Sequence, residues 1–330
     1  MFNRRQCTYV NNSLSESSEI SCGVPQGSVL GPLLFSIYIN DIFMASKSCK
    51  ISLYADDTNI FIVEKDIDSL FSLGNTVAND IYQWSTCNKL TINFDKTNFM
   101  LFKHSSLSCS KIDLSNYNVY MNNVRLSRTN CVKYLGVMLD DGLSWKYHID
   151  NLCNKISGLI SIFYHRRHLL TPACRKTLYF SLIHSHLIYC VEIYGSANSK
   201  LLKPLILKCN TILRILQDKP RTTSLRELYS CYQTLPVTYL YNLSVLKILH
   251  KYVYNCSALP SAICSMFFSN SYFHNYNTRS KDHLSVPVNK NKSIACVGPS
   301  MWTNLPFHIR SCSSFNKFIQ LCMCQFTQLI

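Results

Sequence analysis

The decisive stretch runs Lys50-Ile51-Ser52-Leu53-Tyr54-Ala55-Asp56-Asp57-Thr58-Asn59-Ile60-Phe61-Ile62-Val63. Two β-favouring segments flank a pair of adjacent carboxylates, a pattern that predicts a hairpin with the acids at its turn. Successive side chains on a strand point to opposite faces, but at a turn both can reach a common edge. Two such carboxylates repel one another, and a divalent cation is their natural partner. Mg2+ prefers oxygen ligands and usually takes one or two carboxylates together with substrate phosphates. Asp is also a common turn residue, so Asp-Asp alone reads first as a turn that merely breaks a hairpin.

A second stretch, upstream, bears on that choice: Cys22-Gly23-Val24-Pro25-Gln26-Gly27-Ser28-Val29-Leu30-Gly31-Pro32-Leu33-Leu34-Phe35. Followed by Tyr54-Ala55-Asp56-Asp57, it resembles the reverse transcriptases of non-LTR, LINE-like retrotransposons, with the closest flavour that of the jockey-like elements. The resemblance implies an RNA-directed DNA polymerase that transfers nucleotides from dNTPs to a DNA primer on an RNA template. It implies that Gly23, Pro25, Gln26 and Gly27, with Tyr54 and Ala55, border the nucleotide and template. Asp56 and Asp57 would be the catalytic metal ligands, and Mg2+ (or Mn2+) the cofactor in a two-metal scheme.

Two later stretches extend the resemblance. Asn93-Phe94-Asp95-Lys96-Thr97 is similar to the family's next motif. By that analogy Lys96 is a catalytic residue beside the triphosphate, able to protonate or neutralise the leaving pyrophosphate; the other reading is a turn lysine facing water. Val132-Lys133-Tyr134-Leu135-Gly136-Val137-Met138-Leu139-Asp140 resembles the hairpin that grips the primer, with Tyr134, Leu135 and Gly136 at the grip. Gly136 there either lets backbone approach the primer or marks a β-bulge.

The resemblance starts partway through a polymerase domain. Residues 1–22 look like the segment between the first catalytic carboxylate and the Gly-x-Pro-Gln-Gly turn, with a polar loop from Ser13 to Glu19. The scheme needs a further carboxylate from a strand that would precede residue 1. Asp95, in a turn, and Asp140-Asp141, at the end of a hairpin, are not placed to replace it. The expectation is a truncated polymerase, inactive alone. The alternative is a non-catalytic nucleic-acid-binding remnant, or a relic without a partner.

Charge supports a polyanion footprint. The 330 residues carry a formal net charge of +15. Residues 1–100 hold 7 Lys/Arg against 10 Asp/Glu, while residues 101–330 hold 26 against 8. A strongly basic second part suits nucleic acid, although a solvated basic surface has the same composition. The 17 Cys include no Cys-x-x-Cys pair, and Met1-Phe2-Asn3-Arg4-Arg5 does not open a signal peptide. The expectation is reduced, mostly buried thiols in an intracellular protein of nucleus or cytoplasm, not a secreted one. No apolar run reaches the ~18 residues a membrane span needs.

The expected fold is α+β. Residues 1–144 read as a partial polymerase palm, an antiparallel sheet backed by helices; residues 145–216 as a helical thumb; residues 217–330 as a helical C-terminal region with a polar loop near 269–292. Leu30, Leu33, Leu34, Ile37, Tyr38 and Ile42 recur at spacings that predict a buried helix. Asp66 is a candidate N-cap for a helix carrying Ile67, Leu70, Phe71, Val77, Ile81 and Trp84. Residues 90–94 and 99–102 read as short strands, and Asn122-Asn123 as a two-residue hairpin turn. From Trp145 the pattern is helical, with Leu152, Ile156, Leu159, Ile160 and Phe163 on one face, Pro172 at a helix start, and one helix from about 176 to 194. Lys155, Arg166, Arg167, Arg175 and Lys176 would contact nucleic-acid backbone, which positions rather than specifies. Phe163, Tyr164, Tyr179 and Tyr189 read as core aromatics, and Trp302 as a core anchor. His184, His186 and Cys190 do not share a helical face, so no zinc site is expected.

Overall fold

A two-residue turn with a positive φ recurs through the first part of the chain, and it organises the local structure. β1 (Arg4–Gln6) pairs antiparallel with β4 (Ser18–Ile20), and β2 (Tyr9–Val10) with β3 (Ser13–Leu14). The reversal falls at Asn11 and Asn12, with φ of 49° and 59°, a conformation Asn tolerates. The stretch expected to be a polar loop is therefore the returning arm of a hairpin. The computed structural model describes residues 4–20, 23–24, 27–102, 116–272, 284–286 and 293–330. Contacts divide the chain into two units, residues 1–101 with 106–129 and residues 102–105 with 130–330.

In the first unit, α1 (Gly31–Tyr38) forms where the apolar spacing placed a helix, with Pro32 in its first turn. Its burial differs from expectation. Leu30, Leu33, Leu34, Ile37 and Tyr38 are all exposed, Val29 reaches 94% exposure, and no residue of α1 is buried. The periodicity identified the element correctly, but among the described residues no element covers its apolar face. The core contributions come just after it, from Ile39 and from Ile42 of the following turn, Ile42–Met44. β5 (Lys50–Tyr54) and β6 (Asp57–Phe61) form the expected antiparallel hairpin. α2 (Ile67–Cys87) packs behind it, with Ile42, Ile51, Val77 and Ile81 buried together against Leu53, Ile60, Ile62 and Trp84. Asp66 caps α2 by accepting from the Ser69 amide at 2.8 Å, as its spacing predicted.

After α2 the expected strand at 90–94 is absent. Asn93 O accepts from the amides of Lys96 and Thr97 and from the Thr97 hydroxyl, which turns the chain. The following strand shrinks to β7 (Asn98–Phe99). β8 (Tyr120–Met121) and β9 (Val124–Arg125) close around Asn122 and Asn123, both with positive φ, as expected. Two α2 asparagines hold this hairpin: Asn75 Oδ1 accepts from Tyr120 N at 2.7 Å and Asn79 Oδ1 from Asn122 N at 2.9 Å. β10 (Ser127–Arg128) pairs parallel with β7. Among the described residues the strands form six two-stranded pairs rather than one continuous sheet.

The second unit opens with β11 (Cys131–Tyr134) and β12 (Val137–Asp140) and is otherwise helical. α3 (Lys146–Arg166) lays Ile149, Leu152, Ile156 and Phe163 against α7 (Ser199–Leu216), whose Leu205, Cys209, Ile212 and Leu213 are fully buried. Burial pushes the Cys209 thiol up to about 12, the behaviour of an inert core thiol. The single helix expected from about 176 to 194 is broken. α4 (Pro172–Tyr179) passes through a wider turn at Phe180–His184 into α5 (Ser185–Ile188). The chain then breaks at Tyr189, with Cys190 at φ 53°, before α6 (Val191–Tyr194). Phe163 and Tyr179 are buried as expected, whereas Tyr164 and Tyr189 are exposed.

α8 (Leu225–Tyr232), unread in the sequence, starts at Ser224, whose hydroxyl accepts from Glu227 N. α9 (Val237–Tyr254) forms the centre of the C-terminal part. α10 (Ser261–Cys264) follows it, and α11 (Ile294–Thr303), α12 (Phe307–Arg310) and α13 (Phe315–Leu329) complete the unit. Trp302 and Phe318 stack beside His250 in its core, which makes Trp302 the anchor expected. Most of the expected 269–292 loop lies outside the described residues; within it, Ser269 bridges Leu284. No described helix is long and apolar enough to cross a membrane.

Candidate active site

The β5–β6 register pairs Tyr54 with Asp57, so the turn is the two residues Ala55 and Asp56. Ala55 takes φ 50°, which the tight reversal requires and which costs an L-residue some strain. The apolar face of the hairpin is held on α2 by Ile51 and Ile60, and the turn projects from that support. Tyr54, Ala55, Asp56 and Asp57 are all exposed. Among the described residues no ion pair or side-chain hydrogen bond engages Asp56 or Asp57. Adjacent carboxylates are thus presented with their oxygens uncommitted, a donor set suited to a hard cation whose shell substrate oxygens complete. No group of three or more His, Cys, Asp or Glu side chains comes together among the described residues.

Gly23 and Gly27 take φ of +78° and +80°. A β-carbon there would meet nothing within 4 Å among the described residues, and the positive φ itself calls for glycine. Pro25 and Gln26 lie outside the described residues. Ser28 accepts from Gly31 N at 3.0 Å and ties this turn to the start of α1. Lys96 is exposed on the turn that Asn93 organises: Asn93 Oδ1 accepts from the Lys96 amide at 3.2 Å. Asp95, on the same turn, lines a cavity of about 940 Å³ with Phe94, Tyr117, Arg125 and Arg128.

In the second unit the β11–β12 turn is Leu135-Gly136, with φ of 43° and 83°. Gly136 is a turn residue, not a bulge. A residue that sequence reasoning assigned to the core secures it: Tyr189 Oη donates to Leu135 O at 2.6 Å. Nothing local in the sequence announces this, since the two are 54 residues apart. Asp140, which is not expected to replace the further carboxylate, is buried. Its carboxylate accepts from the amides of Ser144 and Trp145, both at 2.9 Å, at the entrance to α3. It ties the turn after β12 to the residues that lead into α3, a buried acceptor for two loop amides.

The five basic candidates separate into two kinds. Lys155 and Arg166 are exposed and Lys176 half-buried, none of them ion-paired among the described residues. Arg167 and Arg175 both engage Asp218: Arg167 Nε lies 2.9 Å from Oδ1, and Arg175 bonds Oδ2. Arg167 also donates to Tyr164 O and lies over the Tyr164 ring at 5.2 Å. Hydrogen bonds from Arg175 and Arg167 hold the Asp218 carboxyl below its usual range. These two guanidiniums are committed within the protein, and Arg175 is buried.

Residues 2–139 match the family described as reverse transcriptase (RNA-dependent DNA polymerase). The chain is 31% identical over 222 residues to the RNA-directed DNA polymerase from mobile element jockey of Drosophila melanogaster, covering 62% of this chain and 23% of that relative. It is 28% identical over 211 residues to the jockey polymerase of Drosophila funebris, covering 59% and 22%. Against the probable RNA-directed DNA polymerase from transposon X-element of Drosophila melanogaster it is 24% identical over 221 residues, covering 64% and 24%. The chain spans about a quarter of the length of these relatives. Alignments of that length exceed residues 2–139, so the similarity continues into the helical unit. Over residues 2–139 the chain is similar to the reverse transcriptase family, and over a longer stretch to the polymerases of the jockey and X mobile elements.

Proposed function

We propose that the chain supplies the catalytic turn, primer grip and thumb of an RNA-directed DNA polymerase, acting on an RNA template, a DNA primer and dNTPs. The observation that carries the reading is the pair Asp56 and Asp57, exposed and uncommitted on a two-residue hairpin turn, inside the stretch matching the reverse transcriptase family. In this reading residues 1–144 act as a partial palm, 145–216 as a thumb and 217–330 as a C-terminal helical region.

Asp56 and Asp57 would hold Mg2+ or Mn2+. A divalent ion held there would supply Lewis-acid activation of the primer hydroxyl and charge stabilisation at the transferring phosphoryl. The protein's own part is positioning. Gly23 and Gly27 bring backbone close to template and nucleotide, with Pro25, Gln26, Tyr54 and Ala55 completing that border. Lys96 places a positive charge beside the leaving pyrophosphate. Tyr134, Leu135 and Gly136 hold the primer strand. Lys155, Arg166 and Lys176 neutralise backbone phosphates, which positions a duplex without reading its sequence. Since Arg167 and Arg175 are engaged by Asp218, they serve the thumb's integrity.

Two carboxylates without a third make a weak cage, so divalent binding to the chain alone is expected to be weak but specific. Mn2+ relaxation titration in the presence of dNTP tests it. Wild type should bind more tightly than Asp56→Asn and Asp57→Asn; superimposable curves would reduce the pair to a structural turn. A second reading, a nucleic-acid-binding protein without catalysis, rests on one observation: Lys155 and Arg166 of the helical unit are exposed. It predicts duplex binding unaffected by Asp56→Asn and by divalent ions.

A further inference from the structure

α9 ends at Tyr254, and the chain leaves it through Asn255 into a short turn, Cys256–Ala258. The amides of Ala258 and Leu259 close that turn on Asn255 O and Cys256 O. Pro260 then starts α10 with φ −56°, and the amides of Ile263 and Cys264 return to Pro260 O. The two turns are hinged at Leu259-Pro260, and their geometry folds the ends of the segment back on one another. Cys256, which opens the first turn, and Cys264, which closes the second, meet with their sulfurs 2.9 Å apart. Cys264 Sγ is also 3.4 Å from Cys256 O.

Both thiols are free. Cys256 is exposed and Cys264 half-buried, so a small solute reaches the pair from solvent. The far end of the segment is anchored: Tyr252 Oη donates to Phe267 O at 2.9 Å, and Phe267 is buried against the Tyr252 ring. The segment from 255 to 267 is thus tied to the last turn of α9 at both ends, and the thiols are held together by fold rather than by chance approach. A disulfide needs sulfurs about 2.05 Å apart, so closure asks for roughly 0.9 Å of movement, within reach of side-chain adjustment.

We infer that Cys256 and Cys264 form an oxidisable dithiol site that reacts with a small disulfide of the glutathione class and closes to an intramolecular disulfide. The exchange balances. The Cys256 thiolate attacks one sulfur of the small disulfide, breaking its S–S bond and releasing one thiolate, which leaves a mixed disulfide on Cys256. Cys264, after losing its proton to solvent, attacks the Cys256 sulfur and releases the second small thiolate. The protein loses two electrons and two protons, and one small disulfide becomes two thiols. Exposure assigns the first attack to Cys256. In the reduced pair the hydrogen bond to Cys256 pushes the Cys264 thiol up, which leaves the first attack to Cys256. Closure staples the exit of α9 to the end of α10 and limits the freedom of this segment in the unfolded chain.

The test uses the full chain, reduced and then equilibrated with glutathione and glutathione disulfide, alkylated without denaturation and analysed by intact mass and peptide mapping. The expected product lacks two hydrogens, with one linkage joining Cys256 to Cys264 and a melting temperature raised by roughly 3–8 °C. Cys264→Ser should instead retain one glutathionyl group on Cys256. Both positions are at or near the surface, so serine leaves the fold intact. Alkylation of Cys256 and Cys264 as rapid after oxidation as before it, or their linkage to other cysteines in the folded chain, would overturn the inference.

Discussion

The Tyr189 hydroxyl donates to the Leu135 carbonyl at 2.6 Å, and its ring lies 3.1 Å from where a β-carbon on Gly136 would stand. The break between α5 and α6 is what makes this contact: it turns Tyr189 out of the helix and onto the β11–β12 turn. A glycine is then needed at 136 twice over, by its positive φ and by the tyrosine ring.

Gly136→Ala should therefore cost more than its exposed turn suggests, about 1–3 kcal/mol from the left-handed backbone and the displaced ring. Tyr189→Phe removes only the hydrogen bond and should cost about 0.5–1.5 kcal/mol. Urea denaturation of each variant and of the double variant checks this. The costs should be non-additive, because the residues touch; strict additivity would mean that the ring does not sense residue 136.

Acid should weaken the Asp218 clamp. Arg175 and Arg167 lower the folded-state pKa of Asp218, so its contribution is fully present above the unfolded value, about 3.9. It is lost as pH falls through the folded value. The Asp218 side chain is 52% exposed, which limits the effect to about 1 kcal/mol after solvent screening. Comparing wild type with Asp218→Asn by urea denaturation should show a stability gap at neutral pH that closes below about pH 4. A gap that stays constant down to pH 3 would show that the carboxylate charge contributes nothing.

Nucleic-acid binding should be sequence-tolerant and steeply salt-dependent. With about six phosphate contacts, affinity for an RNA–DNA duplex should fall on the order of a thousandfold between 50 and 200 mM salt. Arg166→Ala should weaken binding equally on all sequences and reduce the salt slope. Arg175→Ala should instead lower stability, since it removes a buried guanidinium and its half-exposed ion pair with Asp218. Filter binding at several salt concentrations separates the two outcomes; salt-independent binding would contradict the electrostatic footprint.

Much of this was legible locally. Asp66 as a cap, the Asn122-Asn123 turn, the β5–β6 hairpin and the apolar face of α3 all follow from patterns within a few residues, where backbone geometry dominates. What was not legible depends on distant partners. Leu33 and Ile37 have the spacing of a core helix, yet periodicity reports only that one face is apolar, not that anything covers it. Arg167 and Arg175 looked like phosphate ligands because composition counts charges without seeing Asp218. Tyr189 looked like core because its break from the helix comes from Cys190 adopting a positive φ, which no residue preference there foretells. Asp140 looked like an acid at a strand end, and its role appears only when the amides of Ser144 and Trp145 are seen to need an acceptor.

The most direct measurement is primer extension on a poly-rA template with an oligo-dT primer, dTTP and Mg2+ or Mn2+. Among the described residues Asp56 and Asp57 have no third ligand, and loss of one preorganised group is worth about 10²–10³ in rate in well-studied sites. The 330-residue chain alone should therefore extend no primer. Joined in one chain to the jockey polymerase sequence that precedes the matched stretch, it should synthesise DNA, and Asp56→Asn should abolish that synthesis. Extension by the joined chain that survives Asp56→Asn would contradict the assignment of the catalytic turn. Robust extension by the 330 residues alone, lost on Asp56→Asn, would contradict the need for a further carboxylate.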